Sequence, residues 1–293
     1  MNEIIQQRLE ASRTSNALEE EQTLREIIQE VALYALWRAD FFAVAAFQGG
    51  TCLRILHRLP RFSEDLDFIL LKPAPDFLWP PYLEKLLEVF AEWGIEAEAV
   101  PRGRMDKAIR TAVIKDNSVV NQLNLAFYRG QTGRKLQVKL EIDVNPPAGS
   151  GWAYTYLDFP TDFEVCHQDL PSNFALKIHA LLCREFVKGR DWYDFNWYVK
   201  QGTSPNLSLL SNALDQAGPW AGQRLSMDLR LLKAALAKKI ERIDWAKATA
   251  DVAPFLRATE QESLKLWSVR FFADRVSRLA GSEGSRGRSK GTE

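Results

Sequence analysis

Cysteine and histidine are scarce in this chain of 293 residues, with three of each. Cys52, Cys166 and Cys183 form no CxxC pair, and their odd number fits reduced thiols better than a disulfide framework. On that spacing redox and zinc chemistry fall away. His57, His167 and His179 show no HExxH or HxxxH spacing, so each reads as structural or surface and no histidine-centred mechanism is visible. Long apolar runs are missing as well. None approaches the roughly 20 residues that span a bilayer, and the start Met1-Asn2-Glu3 lacks the basic and apolar regions of a secretory leader. A cytoplasmic protein with no membrane attachment is expected. No GxxxxGK[ST] loop is present, which excludes a P-loop enzyme.

What is present is enough apolar content, 46%, for a sizeable core in two domains or one elaborated domain. The zero net charge hides an asymmetry: 18 basic against 25 acidic residues precede residue 171, and 20 against 13 follow. The C-terminal half is therefore the better surface for a polyanion.

Helical spacing of Leu24, Ile27, Ile28, Val31, Leu33, Tyr34 and Leu36, without Gly or Pro, predicts a helix from about residue 20 to 46. Gly49-Gly50 break it, and a short helix starts near Thr51 and ends at Pro60. Residues 62–71 alternate as a strand, with Leu66, Phe68 and Leu70 on one side and Asp65, Asp67 and Ile69 on the other. A helix over 82–92 and strands over 95–100, 108–114 and 120–128 follow, with Gly130 and Gly133 turning the last. The clearest strand is RKLQVKLEIDVN: Leu136, Val138, Leu140, Ile142 and Val144 line one face, Lys139, Glu141, Asp143 and Asn145 the other. An aromatic stretch then precedes two helices, for which Ser172 is a candidate N-cap and Gly189 a candidate C-terminal stop. Helical pattern continues from about 205, and GSEGSRGRSKGTE at 281–293 reads as a disordered tail. The order of elements predicts an α+β fold: a mixed sheet with flanking helices, then a helical C-terminal region.

Asp65 and Asp67, two apart on a strand, place both carboxylates on one face with their Cα atoms about 7 Å apart. Asp143, with Glu141 as its competitor, lies on the polar face of a second strand. Three such carboxylates suit paired Mg²⁺ ions, with Mn²⁺ the other candidate, in phosphoryl or nucleotidyl transfer. The turn Gly49-Gly50-Thr51 adds backbone amides at a helix start that can take phosphate.

Gly-Gly-Thr, a helix, Asp-x-Asp on a strand and a distant Asp on an alternating strand resemble the polymerase-β-like nucleotidyltransferases. FQGGTCLRILHRLPRFSEDLDF further resembles the GGT-x-L-R … R-F-S-E-D-L-D-F signature of the nucleotidyltransferase AbiEii/AbiGii toxin family of type IV toxin–antitoxin and abortive-infection systems. LKIHALLCREFVKGRDWYDFNWYV is similar to that family's second block, a lysine-bearing helix followed by K-x-R-D-x-x-D. The resemblance covers roughly residues 20–200. It implies Gly49, Gly50 and Thr51 as the nucleotide-phosphate turn, Asp65 and Asp67 as metal ligands, Lys177 as the essential lysine and Asp191 as the later essential aspartate, with Asp194 competing for that role. Asp143 matches the superfamily's third carboxylate. Read from spacing, Lys177 and Arg184 share one side of their helix and could grip a triphosphate.

The expected activity is Mg²⁺-dependent transfer of NMP from NTP to an acceptor hydroxyl, one metal activating the attacking oxygen and the other steadying the leaving group. Residues 1–165 would form the nucleotidyltransferase core with its N-terminal helices, and 166–280 a helical region completing the active site. The resemblance implies an RNA acceptor, a transfer RNA 3′ end, and an antitoxin encoded nearby. The rivals are a nucleotidyltransferase acting on a protein or small molecule, and a non-catalytic regulatory protein on the same fold.

Overall fold

A computed structural model of the chain describes residues 2–102, 108–116, 125 and 136–280. The strand expected over 120–128, its turn at Gly130 and Gly133, and the tail 281–293 lie outside the described residues. The chain divides into two compact units. The first comprises Met1–Pro146, Trp152–Asp169 and Ala253–Glu262, the second Pro147–Gly151, Leu170–Val252 and Ser263–Glu293.

The first unit carries helices α1 (Asn2–Ala11) and α2 (Ala17–Arg38), strand β1 (Ala45–Gln48), α3 (Gly49–His57), β2 (Asp65–Leu70), α4 (Pro80–Glu92), β3 (Ala97–Arg102), β4 (Ile109–Asp116), β5 (Leu136–Asp143), β6 (Trp152–Leu157) and β7 (Phe163–Gln168). The strands form one mixed sheet in the order β3-β4-β5-β2-β1-β7-β6. Asn16 starts α2 by accepting the Glu19 amide at 3.0 Å, a side-chain cap for an otherwise orphaned donor. Leu24, Ile27, Ile28 and Val31 of α2 are buried, and each such side chain contributes roughly 1.5–3 kcal/mol.

The helix does not run to residue 46: it ends at Arg38, and Ala45–Gln48 form β1 between β2 and β7. A strand of four residues is too short to show its own period after a long helical one. Its register, Phe47 opposite Phe68 and Gln48 opposite Asp67, fixes where the glycine turn begins relative to the acidic strand. Arg58, in the left-handed region at φ 57°, closes α3 two residues before Pro60. The aromatic stretch after residue 151 forms β6 and β7, an antiparallel pair at one end of the sheet order. Tyr154 and Tyr156 are exposed on that outer strand.

The second unit is helical: α5 (Leu170–Cys183), α6 (Gly189–Lys200), α7 (Leu207–Gln216), α8 (Leu229–Ile240) and α9 (Trp245–Val252), then, after α10 (Ala258–Gln261) of the first unit, α11 (Val269–Ser277). The aromatic run of α6 is core. Trp192 meets Trp245 and Phe272 at 5.4 and 5.2 Å, and Tyr198 stacks on Phe174 at 4.3 Å. Ser172 does not cap a helix. It lies inside α5, and its hydroxyl accepts the Gly151 amide at 2.9 Å. Gly189 likewise opens α6 instead of stopping α5. A Cβ there would stand 1.8 Å from the Ala248 carbonyl oxygen, so glycine is required for α9 to approach.

Candidate active site

In the first unit, β2 presents Asp65 and Asp67 half-buried while Leu66, Phe68 and Leu70 enter the core. β5 runs parallel to β2 and sets Lys139 beside Asp65, Glu141 beside Asp67 and Asp143 beside Ile69. In-register neighbours on parallel strands share a face. All four carboxylates and one ammonium therefore stand on the same side of the sheet. Glu141, not Asp143, is the direct neighbour of Asp67; two residues further along, Asp143 accepts the Asn145 amide at 2.9 Å. Burial pushes the Asp143 carboxyl above its ordinary value despite that bond.

Lys139 pairs with Glu141. Its ammonium is pulled down by burial, but the bond to Glu141 and the charges of Glu141, Asp65 and Asp67 hold it above the usual lysine value. The face thus favours a cation. Hard carboxylate oxygens with no thiol or imidazole among them are the donor set that Mg²⁺ takes. The residues fit that ion.

The turn before α3 is built against this face. Gly49 adopts φ +77°, and a Cβ on it would lie 2.5 Å from Asp67 Oδ2. A Cβ on Gly50 would lie 2.2 Å from the Arg61 guanidinium, which is itself buried and donates to the Phe62 carbonyl at 3.0 Å. The positive φ at Gly49 calls for glycine, and at both positions the turn's backbone comes close to these side chains. Gln48 gives α3 no side-chain cap; its amide donates to the Phe68 carbonyl at 3.2 Å instead. Thr51 is buried, and its hydroxyl donates to the Asp65 carbonyl, so this side chain ties the turn to β2. Gln29 of α2 donates to the Glu64 carbonyl at 2.8 Å, which fixes Glu64 just outside the strand.

In the second unit, Lys177 of α5 donates to Asp191 at 2.8 Å and contacts Asp194 at 2.9 Å. Arg184, one residue beyond the end of α5, binds the other Asp191 oxygen at 2.5 Å. Both carboxylates are buried. Burial alone would raise Asp191, but Lys177 and Arg184, with Lys188 behind them, hold it below the usual carboxylate range. Burial lowers Lys188 more than Asp191 restores it. The choice between Asp191 and Asp194 left open by the sequence becomes a shared contact: each reaches the Lys177 ammonium.

Register was what spacing could not supply. The pairing of Asp67 with Glu141, and the lysine among the acids, depend on which residues of two strands stand opposite each other. Nor could spacing show that Cys52, His57 and His167 come together, since β7 delivers the third. Among the described residues no helix is long and apolar enough to cross a membrane.

No curated protein matches this chain. Two solved structures from Helicobacter pylori are similar over most of their length. One is of a protein provisionally named a nucleotidyltransferase, with 16% identity and TM-score 0.48 over 87% of this chain and 96% of that one. The other, JHP933, has 15% identity and TM-score 0.48 over 89% of this chain and 90% of its own. A family model described as nucleotidyl transferase AbiEii toxin, type IV TA system, matches residues 31–275, which take in both blocks described above. The chain belongs to the AbiEii family of nucleotidyl transferase toxins of type IV toxin–antitoxin systems.

Proposed function

We propose that the chain moves an NMP from an NTP to a hydroxyl of RNA, with the β2–β5 carboxylate face holding the divalent ion. The observation that carries this reading is the approach of Gly49 to Asp67, so close that a Cβ there would lie 2.5 Å from the carboxylate oxygen, which sets the backbone of the glycine turn directly against the acid-bearing strand. The polar face of the sheet contributes Asp65, Asp67 and Glu141 as the best-placed ligands, with Asp143 further along the strand. Mg²⁺ or Mn²⁺ bound there supplies charge neutralisation for the phosphates and acidifies the acceptor hydroxyl.

The chain's own residues do the rest. The first amides of α3 receive phosphate oxygens, as helix N-termini do, and Thr51 holds that turn to β2. The acceptor oxygen forms its bond to the α-phosphorus as the bond to pyrophosphate breaks, and the acceptor proton passes to a carboxylate of this face. Lys177 and Arg184, both paired with Asp191, are the cations proposed for the triphosphate. Asp191 and Asp194 orient Lys177. The excess of basic residues after residue 171 favours RNA as the acceptor class. As a toxin, the protein has an antitoxin partner, and modification of an RNA needed for translation is the proposed route to growth arrest.

The test is to incubate the purified chain with each α-³²P-labelled NTP, Mg²⁺ or Mn²⁺, and total RNA, protein extract or a small-molecule pool. Label in RNA is expected. Label confined to protein or to a small molecule would replace the acceptor, and none in any fraction would support a non-catalytic role.

A further inference from the structure

Cys52 and His57 lie on α3, five residues apart, which on a regular helix leaves them about 140° apart around the axis. Spacing alone would separate them. His57 is, however, the last helical residue before Arg58 turns left-handed, and His167 arrives from β7, opposite Phe47 of β1. One ligand atom from each of the three lies within 4.8 Å of the other two. Around tetrahedral Zn²⁺, with bonds of about 2.3 Å to sulfur and 2.0–2.1 Å to nitrogen, ligand atoms stand roughly 3.3–3.6 Å apart. A contraction of no more than about 1.5 Å closes the set.

His167 is already arranged as a ligand. Its Nδ1 lies 3.0 Å from the Gln168 carbonyl, which can only accept, so Nδ1 carries the proton and Nε2 the lone pair. The Thr155 hydroxyl, 2.9 Å away, donates to Nε2 and is what an ion would displace. A ring whose far nitrogen donates to a backbone carbonyl is the outer arrangement that metal-bound histidines show. Burial lowers His57 to about 4 and lowers His167 as well, which keeps both rings neutral.

We infer that Cys52, His57 and His167 form a second metal site, for a borderline-soft divalent cation of the Zn²⁺ class, chemically distinct from the oxygen-lined face of β2 and β5. Burial, with the Asp67 charge behind it, pushes the Cys52 thiol up, so it is the ion that must displace its proton: Cys52 binds as thiolate, its proton passing to solvent, and both imidazoles bind neutral. Three protein ligands leave one tetrahedral position, next to Thr155. An ion there would staple α3, which opens with the glycine turn, to β7. The site does not depend on nucleotidyl transfer, and its test reads metal binding directly.

The full chain carrying Asp65→Asn and Asp67→Asn, dialysed against a chelator, is titrated with Co²⁺ as a spectroscopic stand-in for Zn²⁺. The expected result is a thiolate-to-cobalt charge-transfer band with intense tetrahedral visible absorption, saturating at one ion per chain and bleached by Zn²⁺. Cys52→Ser removes the charge-transfer band. His57→Gln, at the half-buried end of its helix, keeps the band and weakens Co²⁺ binding at least about tenfold. Circular dichroism checks that each variant is folded. Absence of the band in the parent chain, its survival in Cys52→Ser, or unchanged affinity in His57→Gln would overturn the assignment.

Discussion

Asp65 and Asp67 stand half-buried on a sheet face shared with Glu141 and Asp143, and with Lys139 beside Asp65. Asp191 and Asp194 lie buried on one helix, already bound to Lys177, with Arg184 on Asp191. The ingredients are alike and the balance is opposite. The sheet face gathers carboxylates that hold the Lys139 ammonium above its usual value, and so favours cations. The helical knot has its cations built in, because a buried carboxylate without one would cost several kcal/mol. A residue's contribution should follow the same division: removing a charge from the sheet face costs activity, and removing one from the knot costs the fold.

The largest effect is expected at Lys177. Lys177→Ala leaves two buried carboxylates without their shared ammonium, and a loss of about 3–5 kcal/mol by urea denaturation is expected. A loss near zero would mean that the knot is hydrated, and the contrast between the two regions would fail.

Gly49→Ala comes next. At φ +77°, with its new Cβ against Asp67, it should cost about 1–2 kcal/mol in stability. Label transfer should be abolished, which an activity assay beside the melt would read. Wild-type transfer by this variant would show that the turn does not serve the carboxylate face.

A finer distinction concerns the third carboxylate. With Glu141 beside Asp67, Glu141→Gln should reduce transfer at least about tenfold more than Asp143→Asn, worth about 1.4 kcal/mol of barrier. The reverse order, measured as kcat/KM, would return that role to Asp143.

A last distinction is a pH dependence of opposite sign at two aspartates. Asp191 is held low in the folded state, so its stabilisation is present above the unfolded value near 3.9 and is lost as pH falls through its folded pKa. Asp143 is held high, so its stabilisation is present below about 3.9 and is lost as pH rises through its folded pKa. Asp191→Asn should therefore lower stability at neutral pH and Asp143→Asn should raise it or leave it unchanged. Denaturation midpoints across pH 3–8 check both signs.

The same two regions explain what the sequence could and could not reveal. β2 and β5 were legible because alternation over six to eight residues marks the acid-bearing face, and the glycine pair marks the turn. The partnership of Asp67 with Glu141 was not, since it depends on parallel register across some 70 residues of chain. β1 vanished into the preceding helical pattern, being four residues long. In the second unit, Lys177 and Asp191 were implied by the resemblance of their stretch to the family's second block, while spacing alone showed only that Lys177 and Arg184 share one side of a helix. Gly189 was misread because a glycine between two helices looks like a stop. Its purpose, room for the Ala248 carbonyl, comes from a helix almost 60 residues away.

The most direct test of the carboxylate face is label transfer by Asp67→Asn, measured beside its unfolding midpoint. Transfer is expected to fall at least about a hundredfold while the midpoint holds or rises, since one of several like charges is removed. Transfer at the wild-type rate from a folded Asp67→Asn protein would contradict it.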